Sequence, residues 1–181
     1  MRRWTNCFKN RMNQKHLQIR EGVPADALKV RDLRLEGLQA HAEAFGADYE
    51  TDKNFPPSFW EKSLEGDAMK TVFVAESNSD LVGAAGIRRF DSSKMSHSAI
   101  IWGVYVSAKY RGEKVGEKLI AACLDWAKQK NLLSVKLAVA TTNMPAIRLY
   151  TKCGFQVYGV DPQVIKANGI FYDELLMVRN L

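Results

Sequence analysis

The chain has 181 residues, of which 46% are hydrophobic, 26 are Lys or Arg and 20 are Asp or Glu. This size and apolar content suit one globular domain with a full core and leave little chain for a second domain. The formal net charge of +6 originates in residues 1–20, which carry six basic residues and no acid. The rest of the chain is electrically balanced, which argues against a nucleic-acid-binding face on the folded part.

Residues 1–14 form a basic leader, which we expect to be disordered ahead of a single domain at residues 15–181. A targeting segment and an upstream start are the alternative interpretations of this leader. No apolar run approaches the roughly 18 residues of a membrane span, and no secretory signal follows the basic start. The cysteines, Cys7, Cys123 and Cys153, lack metal-ligand spacing. We therefore expect reduced thiols in a cytoplasmic protein that has no metal and no membrane partner.

In chain order, the pattern first predicts a strand over His16–Arg20 and then a helix from Asp26 to about His41, with one leucine-rich side. Residues 44–57 contain a glycine, two prolines and three aromatic residues, which indicates an irregular connection. A short helix is predicted after it, over Ser58–Leu64.

Two β-rich runs, at residues 71–77 and 81–90, enclose the polar turn Asn78–Asp80. This spacing predicts an antiparallel hairpin. The next segment, Ser98–Val106, is almost entirely apolar. We therefore expect it to be a strand in the centre of the sheet, covered on both faces.

The segment Val106–Lys118 joins this strand to an amphipathic helix through a basic turn that contains glycine. The first N–H groups of a helix lack intrahelical partners and lie at the positive end of its dipole, so such a junction can bind a phosphate. Gly112 and Gly116 let a ligand approach the main chain closely, and Arg111 and Lys114 add positive charge. Taken alone, this segment could also be an ordinary solvated turn.

Alternating apolar residues at positions 135, 137 and 139 predict the next strand. A helix over Met144–Lys152 follows, with Asn143 as a plausible N-cap and Gly154 at a left-handed stop. Residues 155–160 and 170–178 then predict a closing hairpin. The alternation of strand and helix in this half of the chain predicts a crossover connection. The fold class is therefore α/β, with a parallel pair in a mixed, mostly antiparallel sheet.

Two segments of the chain carry a resemblance to a known family. The basic loop fits that family's Gln/Arg-x-x-Gly-x-Gly/Ala pattern at Arg111 and Gly116, while Lys114 stands where the first glycine is usual. The second segment matches at Asn143, Ala146, Tyr150 and the pair Gly154-Phe155. With both segments in this order, the chain resembles the GNAT family of acyl-CoA-dependent N-acyltransferases.

The resemblance implies a sheet with helices on both faces, whose parallel pair splays apart to admit acetyl-CoA as the acyl donor. Main-chain amides of the basic loop would hold the pyrophosphate, and the main chain of residues 104–106 would pair with the pantetheine arm. The cofactor-binding residues implied in this way are Val104, Tyr105, Val106, Arg111, Gly112, Glu113, Lys114, Val115, Gly116, Glu117, Asn143 and Ala146.

The resemblance also implies that Tyr150 is the catalytic acid, which protonates the departing thiolate. A primary amine would attack the thioester directly, with an N–H group near residues 104–106 stabilising the charge on the carbonyl oxygen. No protein nucleophile is needed, and Cys123 and Cys153 occupy structural positions. A core tyrosine that only packs its ring is the alternative interpretation of Tyr150.

The sequence leaves the general base open, because the central strand contains no acid or histidine. The candidates are His97, Glu76, Asp173 and Glu174, or a chain of water molecules. Five acids, Glu43, Asp48, Glu50, Asp173 and Glu174, could attract a cationic acceptor or be ordinary surface charges. The missing strand carboxylate keeps a second hypothesis open, a noncatalytic acyl-CoA-binding sensor. A homodimer is compatible with the family, and the acceptor amine is not specified.

Overall fold

The computed structural model describes residues 17–181. The basic leader, Cys7 and the first residue of the predicted opening strand, His16, lie outside the described residues. The seven strands are β1 (Leu17–Glu21), β2 (Lys70–Ser77), β3 (Asp80–Arg89), β4 (Ser98–Val106), β5 (Ser134–Ala140), β6 (Gln156–Ala167) and β7 (Ile170–Asn180). The five α-helices are α1 (Ala27–Ala40), α2 (Tyr49–Asp52), α3 (Pro57–Ser63), α4 (Val115–Gln129) and α5 (Met144–Lys152).

All seven strands form one sheet in the order β1-β2-β3-β4-β5-β7-β6. Every neighbouring pair is antiparallel except β4 and β5, which are parallel and are connected through α4. The predicted mixed sheet with a single parallel pair is therefore confirmed. In this order β4 lies in the middle of the sheet, as predicted.

The parallel pair is closed at one end and open at the other. Pairing between β4 and β5 is confined to the residues opposite each other at Ser98–Ser134, Ala99–Val135 and Ile100–Lys136. Beyond Ile100 the two strands diverge toward their ends at Val106 and Ala140. This divergence confirms the predicted splay, and it creates a wedge at the carboxyl ends of both strands.

A β-bulge in β4 lies at the beginning of the open part of the wedge. Tyr105 lies opposite Ala84 and Trp102 lies opposite Gly86, so two residues of β4 face one residue of β3. One of the two, Gly103, has a φ angle of +62°, a left-handed value that glycine adopts without steric cost. Bulges of this kind redirect a strand and its main-chain groups, and they are frequent beside functional sites.

Helices cover both faces of the sheet. On β2, Val72 and Val74 pack in a cluster with residues of α1 and α3, including Trp60. The alternate residues Phe73 and Ala75 belong to the larger cluster that contains the apolar side of α4. Since successive strand residues point to opposite faces, α4 lies on one face, and α1 and α3 lie on the other.

Three details differ from the sequence predictions. Trp102 is 42% exposed, so β4 is not covered on both faces. Its indole lies across Gly86, where an added Cβ would come within 2.3 Å of the ring. The connection predicted as irregular contains the short helix α2. Strand β6 extends to Ala167, and the turn that follows it, Asn168-Gly169, has positive φ angles at both residues. Within residues 17–181, no helix combines the length and the apolar character needed to cross a membrane.

Candidate active site

A cavity of about 520 Å³ occupies the wedge between the diverging ends of β4 and β5. Its walls come from the end of β4, the basic loop, the first turns of α5 and the turn that follows α1. Every residue that the resemblance implied for cofactor binding lines this cavity except Glu113, which is exposed beside it. Tyr150 also lines the cavity. Elements far apart in the sequence therefore converge on one space.

The basic loop enters α4 through a left-handed residue. Lys114 is the N-cap of α4, with a φ angle of +60° and a ψ angle of +18°. The first intrahelical bond runs from the Lys118 N–H to the Lys114 carbonyl at 3.1 Å, so the N–H groups of residues 115–117 precede it. Lys114 adopts the conformation for which the family uses glycine, at a cost on the order of 1 kcal/mol relative to glycine.

Helices α4 and α5 pack closely at the rim of the cavity. A Cβ added at Gly116 would lie 2.9 Å from a terminal methyl carbon of Leu149, so a side chain here would displace Leu149 from its place between the two helices. Glu117 and Lys152 form an ion pair at 2.7 Å across the same two helices. Glu117 is the acid in the first turn of α4, and Lys152 compensates its negative charge.

Asn143 and Gly154 delimit α5 as predicted. The Asn143 Oδ1 accepts a hydrogen bond from the Ala146 N–H at 3.2 Å, which is the N-cap contact. Gly154 has a φ angle of +85° and follows the last turn. Asn143 also faces the cavity. The capping contact does not exclude a second contact with pantetheine, which stays a prediction.

Tyr150 presents a buried phenol to the cavity. The residue is 7% exposed, and its ring packs edge-on against Phe155 with 6.2 Å between centroids. Its hydroxyl has no hydrogen-bond partner among residues 17–181. Burial raises the pKa of this phenol well above its usual value, and the neighbouring Cys123 and Cys153 contribute in the same direction. The group is therefore a neutral donor with a free O–H.

Neither described cysteine has the properties of a nucleophile. Cys123 is fully buried in the core, and burial raises the pKa of its thiol far above the usual value. Cys153 is partly buried, and burial again raises its thiol pKa. Because the thiolate is the reactive form, these shifts argue against an acyl-cysteine route. Residues 17–181 contain no group of three His, Cys, Asp or Glu side chains placed to hold a metal ion.

The four proposed general bases all lie outside the cavity lining. His97 precedes β4 at the closed end of the wedge, and six residues of strand, roughly 20 Å of chain, separate it from Val104. Glu76 is ion-paired with an arginine of β1. Asp173 accepts a main-chain hydrogen bond at 2.8 Å. Glu174 is half-buried and lies opposite Asp161. Burial is the larger cause of its raised pKa, and the Asp161 carboxylate raises the pKa further.

A polar network that the sequence did not reveal joins α1 to the basic loop. The Nε2 of His41 lies 3.0 Å from the Nη2 of Arg111, and the His41 Nδ1 lies 3.6 Å from the Glu43 Oε1. Both His41 and Glu43 line the cavity. The sequence placed His41 at the predicted end of α1. Its contact with Arg111 spans 70 residues of sequence, so no local pattern indicated it.

The same network fixes the end of β4. Glu36 on α1 accepts hydrogen bonds from the Tyr105 hydroxyl at 3.0 Å and from the Ser107 hydroxyl at 2.9 Å. The Arg111 Nε donates to the Val106 carbonyl at 3.2 Å. Burial and the Glu36 carboxylate raise the pKa of Tyr105. These contacts hold α1, the strand end and the loop in one arrangement around the cavity.

A second cavity of about 240 Å³ lies on the α1 and α3 face of β4. Its aromatic lining comprises Phe59, Trp60, Trp102 and Tyr105, and Tyr105 lines both cavities. One ion pair also borders it, with the Arg34 Nε 3.2 Å from an oxygen of Asp52.

The remaining predicted acceptor-binding acids have local roles in the structure. Asp48 caps α2 through the Thr51 N–H, and Glu50 is ion-paired with Lys53. Glu43 alone among the five predicted acids lines the larger cavity.

Known proteins resemble this chain along most of its length. A family model described as the acetyltransferase (GNAT) family matches residues 35–155. The chain is 30% identical over 148 residues to a Bacillus subtilis protein named as a ribosomal protein bS18-alanine N-acetyltransferase, over 82% of this chain and 92% of that protein. It is also 30% identical over 115 residues to the streptothricin acetyltransferase of Escherichia coli, over 60% of this chain and 64% of that protein.

Solved structures share the same fold. A Salmonella typhimurium acetyltransferase structure with its cofactor acetyl-CoA has a TM-score of 0.76 at 22% identity, over 91% of this chain and 94% of that one. A ribosomal-protein-alanine N-acetyltransferase from Brucella melitensis has a TM-score of 0.77 at 24% identity, over 91% and 99%. The splayed parallel pair and the loop that enters α4 agree with the family match, and the chain belongs to the GNAT family of acetyltransferases.

Proposed function

We propose that the protein is an acetyl-CoA-dependent N-acetyltransferase that moves an acetyl group to a primary amine by direct attack in a ternary complex. The observation that carries this proposal is the open wedge between β4 and β5, in which the basic loop and the Tyr150 phenol line one cavity. Family membership and the N-acetyltransferase names of the relatives support the same reaction.

The residues present fit acetyl-CoA. The N–H groups of residues 115–117 and the left-handed Lys114 form an anion-binding turn, and the Arg111 and Lys114 side chains add charge for phosphates. Beyond Ile100, β4 has no ladder partner on its β5 side, so an extended amide chain can add along residues 104–106, where it would take the place of the Arg111 Nε on the Val106 carbonyl. Bound acetyl-CoA supplies an activated acetyl group and a thiolate leaving group.

Tyr150 acts as the acid in this proposal. Its hydroxyl is buried, neutral and without a competing hydrogen bond among the described residues, so it can donate to a developing thiolate. An N–H group that follows the β4 bulge would donate to the carbonyl oxygen of the acetyl group in this proposal. The deeply buried thiol of Cys123 and the raised pKa of Cys153 favour direct transfer over an acyl-cysteine.

The second cavity is our proposed acceptor site. Tyr105 forms a wall of both cavities, so an amine held against it would lie next to the acyl group. The aromatic lining suits an acceptor whose amine is attached to an apolar body. The relatives include proteins named for an alanine of ribosomal protein bS18, for streptothricin and for L-amino acids, so the family itself does not select one acceptor.

We expect the domain to occupy residues 15–181 in the cytoplasm, where acetyl-CoA and reduced thiols occur together. We expect no nucleic-acid partner and no membrane partner. Exposed apolar side chains on the β6–β7 hairpin, including Val160 and Phe171, are compatible with a homodimer.

The direct test is release of free coenzyme A thiol from acetyl-CoA with a panel of primary amines, amino acids and N-terminal peptides. Turnover with at least one amine, with mass spectrometry showing the N-acetyl product, is the expected result. Tight acetyl-CoA binding without turnover across the panel would favour the noncatalytic sensor instead. Nucleic-acid binding that persists after deletion of residues 1–14 would contradict the expected absence of that partner.

A further inference from the structure

The larger cavity contains few side chains able to take a proton from an amine. Its arginine and lysine are cations, its tyrosines are neutral donors, and Glu117 is ion-paired with Lys152 at 2.7 Å. Among the described residues that line the cavity, His41 and Glu43 remain. Both lie in the turn that follows α1, and neither belongs to the basic loop or to α5.

Hydrogen bonding identifies the tautomer of His41. Its Nε2 lies 3.0 Å from the Nη2 of Arg111, and a guanidinium can only donate, so Nε2 must accept with its lone pair. The ring proton is therefore on Nδ1, which faces the Glu43 Oε1 at 3.6 Å. A carboxylate beside Nδ1 and a lone pair on Nε2 are the arrangement in which an imidazole acts as a general base.

Charged and aromatic groups surround the imidazole of His41 at the carboxyl end of α1. The Glu43 carboxylate lies beside Nδ1, and the Arg111 guanidinium lies against Nε2. Tyr105 packs near the ring at 6.5 Å between centroids and keeps its hydroxyl on Glu36. Among the described residues, the contact with Arg111 is therefore the one that occupies the Nε2 lone pair.

We propose that His41 is the general base of acetyl transfer and that Arg111 covers its Nε2 until a phosphate draws the guanidinium away. This inference deepens the function proposed above and rests on it. The Arg111 Nε also donates to the Val106 carbonyl at 3.2 Å. The same guanidinium therefore occupies both the imidazole lone pair and a carbonyl oxygen of β4. A phosphate on the loop amides competes for that guanidinium through charge-assisted hydrogen bonds. Its departure frees both groups together.

The proposed transfer moves its protons through His41 and Tyr150. The His41 Nε2 removes one proton from the ammonium group of the acceptor and leaves a neutral amine. The amine lone pair forms a C–N bond to the acetyl carbonyl carbon, and the C–S bond breaks with its electron pair going to sulfur. Tyr150 gives its hydroxyl proton to the sulfur and regains one from the nitrogen. His41 releases its proton to solvent, so the products are an amide, a thiol and one proton.

The variant His41→Gln separates base catalysis from positioning, because the Gln carbonyl still accepts from Arg111 but takes no proton. We expect its single-turnover rate to fall about 10²-fold or more, the usual size of a general-base effect. Acetyl-CoA affinity should stay within about twofold, so the loss should appear in the rate and not in cofactor binding. The matched control is His97→Gln, at the closed end of the wedge, which should change none of these quantities.

A second readout requires no turnover. With histidine labelled by ¹⁵N, the ring resonances of His41, assigned by their absence in His41→Gln, should show the Nδ1–H tautomer in the free protein. Addition of coenzyme A without an acetyl group should shift the Nε2 resonance as Arg111 leaves. The His97 resonances should not respond.

The outcomes distinguish this inference from the proposed function. An active wild-type enzyme whose His41→Gln variant keeps its single-turnover rate would overturn His41 as the base and leave the acetyltransferase intact. A wild-type protein that acetylates no amine would overturn the function itself. An Nε2–H tautomer, or an Nε2 resonance that ignores bound coenzyme A, would overturn the Arg111 exchange whether or not turnover is found.

Discussion

The two ends of the β4–β5 pair differ in how their polar groups are satisfied. At the closed end the strands pair in register, the hydroxyls of Ser98 and Ser134 lie 3.0 Å apart, and Ala99 and Val135 are fully buried. At the open end the ladder stops, a bulge turns β4, and Lys114 holds a left-handed conformation at the entry to α4. The closed end therefore contributes core burial, and the open end exposes unpaired donors and acceptors to a cavity.

This division implies that stability and activity can be changed separately. Burial of apolar surface stabilises the fold wherever it occurs, whereas available N–H groups and a free phenol become useful only when a ligand occupies the wedge. Substitutions at the closed end should lower the free energy of unfolding and leave the kinetics of the folded enzyme intact. Substitutions of the groups that face the cavity at the open end should change ligand affinity or the rate of transfer.

The largest effect is expected for Tyr150→Phe at the open end. Removing the hydroxyl abolishes the acid and keeps the ring that packs on Phe155, so kcat should fall by about 10²- to 10⁴-fold. The acetyl-CoA dissociation constant should stay unchanged, because only a transition-state contact is lost. Steady-state kinetics and calorimetric titration measure the two quantities. Tyr158→Phe, an exposed position on β6, is the control, and an unchanged single-turnover rate in Tyr150→Phe would remove Tyr150 from the mechanism.

At the closed end, Val135→Ala should cost about 2 kcal/mol of unfolding free energy, from two lost methyl groups and the space they leave. For a chain of this size that corresponds to a Tm lower by roughly 4–8 °C. Val157→Ala on β6, where Val157 is 51% exposed, should change stability by less than about 0.5 kcal/mol. Thermal unfolding measures both. A large loss of kcat in folded Val135→Ala would contradict the separation of the two ends.

The sequence was sufficient where the determining contacts are local. The apolar run Ser98–Val106 predicted β4 to the residue, and the Asn143 cap and the Gly154 stop predicted α5, because each depends on neighbours a few residues away. The Asn168-Gly169 turn also carries a local signal, but the sequence prediction ended the strand at Val160, whereas β6 continues through an irregular pairing between Asp161 and Ile165 to Ala167.

The sequence was not sufficient where distant elements meet. The contact between His41 and Arg111 joins positions 70 residues apart, and no periodicity indicates it. Trp102 lies in an apolar run, so the sequence predicted it to be covered. Its actual position depends on the missing side chain of Gly86 in the adjacent strand. The second cavity likewise depends on how α1 and α3 pack against β4.

A smaller effect at the open end is expected for Arg111→Ala. Loss of the guanidinium removes a charged phosphate contact, and because the side chain is exposed we expect only about a tenfold weaker acetyl-CoA affinity, or about 1.4 kcal/mol. Stabilisation of the protein by acetyl-CoA in thermal unfolding should decrease accordingly. Arg31→Ala on α1, where Arg31 is paired with Asp32, provides the control. Equal acetyl-CoA affinity in the two variants would show that Arg111 does not contact a phosphate.

The smallest effect is expected for Lys114→Gly. This substitution separates stability from binding, because we expect the protein to become more stable and to bind acetyl-CoA more weakly. Glycine adopts the φ angle of +60° without the Cβ penalty, so the free energy of unfolding should rise by about 1 kcal/mol. Loss of the ammonium should at the same time weaken acetyl-CoA binding, more strongly at low salt than at high salt. Gln163→Gly relieves a similar φ angle of +57° on β6 and should stabilise the protein without changing acetyl-CoA affinity. If Lys114→Gly gained stability and kept full affinity at low salt, the left-handed lysine would have no role in binding, and its strain would be unrelated to the function of the open end.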